Sequence, residues 1–313
     1  MRILVTGGAG FIGSHLVDAL VATGAHEVSV LDDLSAGKRE RLDQRARFYH
    51  ANIRNADEVG MIIGGEKPEV IVHLAAQMDV RRSVAEPAFD AEVNLIGFIN
   101  LMESGRQNGL RRMIFSSTGG AIYGEQEAFP CDENHPLRPV SPYGVAKMAT
   151  EGYLFFYKAQ YGIDYVALRY ANVYGPRQDP HGEAGVVAIF CGRLLEGKPC
   201  TIFGDGEQTR DYVYVGDVVR ANLSALGASV SGAINIGTGV ETSVNQLYHT
   251  LAGVAGSSAM PVYASARPGE QHRSVISPGR AARELNWRPE VTLKDGLGRT
   301  FAFFSERFTL QRR

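Results

Sequence analysis

Residues Thr6 to Gly13 read TGGAGFIG. They join an aliphatic run, Arg2–Thr6 (RILVT), to a stretch of helical period, Phe11 to Thr23, whose apolar side carries Phe11, Leu16, Leu20 and Val21. Glycines fall at Gly7, Gly10 and Gly13, with a further one at Gly8. A glycine pattern alone is weak evidence. Here a strand precedes it, a helix follows it, and Asp32 ends the next aliphatic run, Glu27–Leu31. That combination marks a dinucleotide-binding turn. The glycines permit a tight turn and let a pyrophosphate approach the backbone, while the helix N-terminus offers free N–H groups and partial positive charge. A carboxylate at position 32 accepts bonds from a ribose diol and repels a 2′-phosphate, so NAD is favoured over NADP. A structural glycine turn would explain the glycines but not the acid.

Outward from this turn, Val70–Leu74, Met113–Phe115 and Tyr165–Leu168 are further short apolar runs separated by helical stretches. Continuous apolar strands between helices predict an α/β fold with a doubly wound parallel sheet covered on both faces. Ligands are then expected at the carboxyl ends of the strands. After Gly175-Pro176 turn signals cluster, at Asp179-Pro180-His181-Gly182, Gly197-Lys198-Pro199 and Gly204-Asp205-Gly206. They predict a smaller C-terminal substrate lobe. Residues 1–171 would form the dinucleotide domain and 172–313 mainly the second lobe. The chain would return to the first around 211–238, through a helix from Val215 to Leu226 and a strand at Ala233–Ile236.

The bulk properties narrow the partners. A chain of 313 residues, 44% hydrophobic, can bury a substantial core. A formal net charge of −2 gives no electrostatic reason to expect nucleic acid or an acidic membrane surface. Cys131, Cys191 and Cys200 have no metal-ligand or redox spacing, so no metal is expected and a reduced, cytoplasmic interior fits best. No window is long and apolar enough to span a membrane.

Ser141-Pro142-Tyr143-Gly144-Val145-Ala146-Lys147 reads as a helix start, with Ser141 as cap and Pro142 in the first turn. Tyr143 and Lys147, four apart, share one face. A free phenol, with pKa about 10, is a poor base at neutral pH. A neighbouring ammonium and an oxidised nicotinamide would both favour the phenolate. The pair is therefore a candidate general base for an alcohol losing hydride. An isolated pair would more often be a surface aromatic beside a solvated lysine; the nucleotide turn changes that balance. Ser116, Ser117 and Thr118 end the Met113–Phe115 strand, where a hydroxyl could hold the substrate, although one or two of the three would only cap a turn.

Together with His73-Leu74-Ala75-Ala76-Gln77 and Arg169 to Pro176 (RYANVYGP), these motifs resemble the extended short-chain dehydrogenases/reductases that act on nucleotide sugars, most closely the UDP-glucose 4-epimerases. Arg210-Asp211-Tyr212-Val213, Asn235 to Gly239 (NIGTG), Arg267-Pro268-Gly269-Glu270 and Leu285-Asn286-Trp287 extend the likeness nearly end to end. The resemblance implies a Rossmann domain that holds NAD and a lobe that holds a UDP-sugar. Tyr143 would be the catalytic base, Lys147 its activator and Thr118 the hydroxyl that aligns the sugar. NAD would lie against Gly7, Gly10, Phe11, Ile12 and Gly13, then Asp32, Asp33 and Ser35, then Asn52 and Ile53. Leu74, Ala75, Ala76, Gln77, Asn94, Ser116, Tyr143, Lys147 and Tyr170 would complete its site, with Asn94 also supporting the region behind the tyrosine. The substrate would meet Thr118, Tyr143, Asn172, Arg210, Arg267, Glu270 and Ser274, with Arg210 and Arg267 clamping the diphosphate. The chain departs from the pattern at Asn52, where an aspartate commonly meets adenine, at Met78, where some members carry a lysine, and at Glu270, one methylene longer than the usual aspartate. The family also implies a homodimer through the helices after Val93 and after Tyr143.

Within such a family the slot after Thr118 selects the reaction. Dehydratases carry an Asp-Glu pair there and decarboxylases a glutamate. Gly119-Gly120-Ala121 can move no proton, which argues for 4-epimerisation through a transient 4-keto sugar. At Ser274 related enzymes use a large tyrosine to exclude N-acetyl groups, so a small serine would admit UDP-GlcNAc/UDP-GalNAc as well as UDP-Glc/UDP-Gal. Competing readings are a UDP-glucuronate epimerase using Arg81 and Arg82, a simple NADP-dependent reductase, which Asp32 disfavours, and a redox sensor that binds NAD without catalysis.

Overall fold

The protein is described by a computed structural model covering residues 1–180, 185–266 and 271–311. Six strands come first: β1 (Arg2–Thr6), β2 (Glu27–Asp32), β3 (Arg47–His50), β4 (Val70–His73), β5 (Arg112–Thr118) and β6 (Asp164–Tyr170). Among them lie α1 (Phe11–Ala22), α2 (Ala56–Glu66), α3 (Val80–Ala85), α4 (Pro87–Ala91), α5 (Gly97–Gln107) and α6 (Pro142–Tyr161). The later strands are β7 (Asn172–Tyr174), β8 (Thr201–Phe203), β9 (Thr209–Arg210), β10 (Tyr212–Tyr214), β11 (Gly232–Ile236), β12 (Thr242–Ser243) and β13 (Val262–Ala264). With them are α7 (Val186–Leu195), α8 (Val215–Gly227), α9 (Val244–Ala255), α10 (Gly279–Glu284) and α11 (Leu293–Gln311).

Seven strands form one parallel sheet in the order β3-β2-β1-β4-β5-β6-β11. The order reverses direction at β1, where a doubly wound sheet opens its ligand crevice. β3 was not foreseen in the sequence. It is a four-residue edge strand with no fully buried side chain, RFYH, so it lacks the apolar run that marks the others. β11 lies beside β6, pairing Ile236 with Tyr170.

The sheet is apolar on both faces. Leu16, Val17 and Leu20 of α1 pack on one side with Val218 and Ala221 of α8. Phe98 and Leu101 of α5 and Leu154 and Tyr157 of α6 cover the other. Each such buried side chain contributes about 1.5–3 kcal/mol relative to exposure. Phe11, expected on the apolar side of α1, is only half-buried and stands at the helix start, edge-on to His15. A separate core of Phe190, Cys191, Cys200, Ile202, Tyr248 and Leu251 joins α7, β8 and α9. All three cysteines are free and buried. Burial pushes the thiols of Cys131 and Cys191 up to about 12 and that of Cys200 up to about 11. Among the described residues no helix is long and apolar enough to cross a membrane.

Candidate active site

The glycine turn sits at the carboxyl end of β1. Gly7 has φ +69, and a Cβ there would stand 2.6 Å from the Ala75 backbone nitrogen, so this position admits glycine alone. Gly13 is equally constrained, because its Cβ would stand 2.1 Å from the Gly7 carbonyl. α1 then begins at Phe11 and Ile12 after Gly10, with no side-chain cap and no acidic residue in its first turn. Its first N–H groups are left for an anion rather than for the chain's own carboxylates. Asp32 is buried, and its two oxygens accept from Ala9 N (2.9 Å) and Leu34 N (2.8 Å). A carboxylate has about four acceptor positions, so room for ribose hydroxyls remains. Burial raises its pKa, opposed by those two backbone bonds. The donor set and the glycine cradle fit a dinucleotide.

Asp33, Ser35 and Asn52 form a small network on the next loop. Ser35 N and Oγ both donate to Asp33 Oδ1, and Asn52 Nδ2 donates to Asp33 Oδ2 at 3.0 Å. The Asn52 oxygen, expected to face adenine, already accepts from Arg54 N at 3.0 Å. Ile53 beside it is buried.

Beyond β4, Leu74, Ala75, Ala76 and Gln77 form a half-buried segment. Asn94 clamps its end: the amide oxygen accepts from Gln77 N (3.0 Å) and Nδ2 donates to Gln77 O (2.9 Å). Asn94 lies in a π-helical turn, Glu92–Ile96. Such turns recur at functional sites because they re-aim a residue that a regular helix would direct elsewhere. The Asn94 carbonyl also accepts from Thr150 Oγ1 of α6 (3.3 Å), tying this segment to the helix that carries the tyrosine.

α6 starts as its sequence requires. Ser141 Oγ accepts from Gly144 N at 3.2 Å and Pro142 occupies the first turn. Tyr143 and Lys147 follow on one face, with Lys147 Nζ 5.7 Å from the Tyr143 ring centre. Lys147 is 2% exposed. Its Nζ donates to Ser116 O (2.8 Å) and stands 4.6 Å from the centre of the Phe115 ring. Burial lowers the lysine to about 8, against the opposing pull of Asp90 and Glu151. Burial also raises the Tyr143 phenol, reinforced by Asp90. Desolvation thus governs the phenol here, where the sequence reading expected the ammonium to lower it.

The three hydroxyls at the end of β5 part company. Ser117 is buried and donates to Glu151 Oε1 at 2.6 Å, a bond inside the fold. Ser116 supplies the carbonyl that holds Lys147. Thr118 Oγ1 accepts from Ala121 N (3.2 Å), which leaves its proton to donate. A Cβ at Gly120 would lie 4.0 Å from both Thr118 Oγ1 and Asn172 Oδ1, so these two groups flank an open position. At Gly119 a Cβ would stand 2.6 Å from Ile276 Cδ1.

Tyr170 is buried at the end of β6, its hydroxyl 3.1 Å from Asn222 Oδ1. Asn172 is exposed and its N–H donates to Asp211 O at 2.8 Å. Arg210 is half-buried on β9 beside Asp211, and its Nη1 donates to Thr209 O at 2.8 Å. Asp211 is 1% exposed and accepts from Thr238 N, Thr238 Oγ1 and Gly239 N, fixing the arginine's strand to the loop after β11. Ser274 is buried at 3% exposure, two residues from Ile276. Arg267 and Glu270 lie outside the described residues.

Sequence reasoning missed two buried acids. Asp90 Oδ1 accepts from Gln77 Nε2 (2.9 Å) and Asn94 Nδ2 (3.0 Å), while its Oδ2 has no partner. Glu151 forms a bidentate pair with Arg169 (2.6 and 3.0 Å). Both signals were present: Asp90 precedes Asn94 by one helical turn, and Glu151 follows Lys147 by one.

A nucleotide turn at a sheet switch point, with a Tyr-Lys pair tied to the end of β5 through Ser116 O, defines a dinucleotide-dependent enzyme site. The chain belongs to the NAD dependent epimerase/dehydratase family, whose description matches residues 3–237. It is 48% identical to the UDP-glucose 4-epimerase of Mycolicibacterium smegmatis, over 97% of this chain and 98% of that one. Among solved structures it resembles the UDP-glucose 4-epimerase of Thermotoga maritima with UDP-glucose, at 51% identity and a TM-score of 0.96, covering 99% of this chain and 100% of that one. It also resembles the Thermus thermophilus UDP-glucose 4-epimerase in complex with NAD, at 47% identity and a TM-score of 0.92, covering 97% and 99%.

Proposed function

We propose that the protein interconverts the C4 epimers of a UDP-hexose, UDP-glucose and UDP-galactose first, using tightly held NAD. The observation that carries this reading is the open position at Gly120 between Thr118 and Asn172, in a slot with no carboxylate. Dehydration or decarboxylation would need a proton-transfer group there; epimerisation needs room for the sugar to turn. NAD, held by the glycine turn and Asp32, would supply the acceptance of hydride from C4 and its return to the opposite face, with no net change in the cofactor. Tyr143 takes the proton of the C4 hydroxyl and later gives it back. Thr118 donates to that oxygen and holds the sugar in line. Lys147, fixed on Ser116 O, keeps a positive charge near the phenol. Asn172 and Arg210, with Arg267, hold the nucleotide diphosphate.

Purified protein incubated with UDP-galactose, without added NAD, should yield UDP-glucose. Loss of water or carbon dioxide, or a strict need for added reductant, would reject the proposal. The small side chain of Ser274, where related enzymes use a tyrosine, is the ground for extending the proposal to N-acetylated sugars, and strict inactivity on UDP-GalNAc would exclude it. The glucuronate alternative gains nothing from Arg82, whose guanidinium pairs with Glu86 (3.3 Å) and covers the Phe89 ring.

The protein is further proposed to be a cytoplasmic homodimer. Three buried, unpaired thiols support a reducing compartment. Val145 (46% exposed), Phe155 (66%) and Phe156 (43%) leave an apolar surface on α6 that pairing of α5 and α6 with a second copy would cover. Replacing Phe155 by Asp should shift the mass measured by light scattering from two chains towards one. An unchanged mass, or a wild-type monomer, would remove the dimer.

A further inference from the structure

A cavity of about 500 Å³ is lined by none of the residues assigned to cofactor and sugar. The loop after β2, residues 177–180, α7 and α11 line it. Lys38, Arg41, Arg177, Arg193, Lys198 and Arg307 line it, against the carboxylates of Asp179 and Glu196. In a chain with a net charge of −2, six cations around one cavity need an explanation. Among the described residues, Arg177 pairs with Asp18 at 2.7 Å and Lys198 with Glu196 at 2.7 Å. Even so, among the described residues the buried donors Arg41 Nε and Arg177 Nη1 have no hydrogen-bond partner, nor has Oε1 of Gln178, a residue 8% exposed on the same wall. Burial holds Arg41 below its ordinary range, and the charges of Arg307 and Arg177 push the same way. Buried donors without acceptors are rare in folded proteins, and like charges kept together call for a counter-charge.

The remaining wall is aromatic. Phe303, Phe304 and Phe308 of α11 face the cavity, and the Arg307 guanidinium stands 5.5 Å from the centre of the Phe303 ring. Guanidinium groups match phosphate oxygens in geometry and charge, and phenylalanine faces take a flat ring by stacking. The volume lies within the usual range for a small-molecule site.

We propose that this cavity is a second nucleotide site, which takes a nucleoside diphosphate with its phosphates on Arg41, Arg177 and Arg307 and its base against the α11 phenylalanines. The ligand is an effector or a carried molecule, since none of these residues is among those assigned to the reaction.

The test is calorimetric titration of ADP into the purified protein saturated with NAD and UDP, so that both sites of the reaction are filled. UDP is titrated alone first, which separates failure of the substrate assignment from failure of this one. One further site per chain is expected. It should weaken at least tenfold in Arg41→Gln and in Arg307→Gln, with the UDP titration and thermal midpoint unchanged. Adenosine and inorganic pyrophosphate should each bind at least tenfold more weakly than ADP. No ADP binding to the saturated protein, or binding indifferent to both substitutions, overturns the site. Pyrophosphate binding as tightly as ADP overturns its assignment to a nucleotide.

Discussion

At Tyr143 the chemistry depends on an environment that its letter in the sequence does not specify. The i,i+4 spacing to Lys147 was legible, but the direction of the phenol's pKa was not. Spacing tells which charges are near; burial tells how strongly ionisation is opposed. The positive charge of an oxidised nicotinamide would oppose that desolvation. Tyr143→Phe should lower kcat by about 10²–10⁴-fold, the usual range for loss of a general base, while retained NAD and thermal midpoint stay near wild type. Retained activity would remove Tyr143 from the reaction. Lys147, lowered to about 8, loses its proton as pH rises through that value. The rate should therefore fall above about pH 8, and a profile flat to pH 10 would mean that the lysine charge plays no part.

At the scale of elements, β5 and α6 share a buried polar seam. Ser117, Glu151, Arg169, Tyr123 and Asn235 link through bonds of 2.6–3.0 Å from β5 across α6 and β6 to β11. The Arg169 and Glu151 side chains are only 5% and 11% exposed. Removing one partner of such a pair leaves an uncompensated buried charge, at a cost of about 3–5 kcal/mol. Glu151→Ala should lower the thermal midpoint by several degrees or more, whereas Glu151→Gln, which keeps a hydrogen-bond acceptor, should lose less. Equal midpoints for wild type and Glu151→Ala would show the pair to be dispensable. Of the three hydroxyls at the end of β5, residue pattern alone nominated a group, and only the family resemblance singled out Thr118. Neighbouring strand residues point to opposite faces, and only the packed helix shows which face is closed.

For the whole molecule, the parallel register brings Thr6 and His73, at the ends of β1 and β4, beside Phe115 in the middle of β5. His73 is 1% exposed, its Nδ1 2.7 Å from Thr6 Oγ1, and its ring stacks on Phe115. Burial, with Lys147 nearby, lowers it to about 3. The folded state thus binds fewer protons than the unfolded state between about pH 3 and 6.5. Stability is complete above 6.5 and is lost as pH falls, by up to about 1.4 kcal/mol per unit from this group. His15, also lowered chiefly by burial, acts with the same sign. Urea midpoints should fall from pH 7 to pH 5, and the fall should be smaller in His73→Gln. An equal fall in both proteins would take His73 out of the account.

The sequence by itself determined the doubly wound sheet, the glycine turn with Asp32, and the Tyr143–Lys147 pair. Each depends on local periodicity or on a spacing within one helix or turn, and short-range sterics fix those. It also excluded a carboxylate after Thr118, because composition at a position needs no folding to be read. Only the tertiary structure decided the edge strand β3 and the inward turn of Ser117. It alone brought Asp90 against Gln77 and Asn94, and gathered cations from four separated segments around one cavity. Those features depend on which distant surfaces meet and how much water they exclude, and desolvation follows from packing rather than from the order of residues.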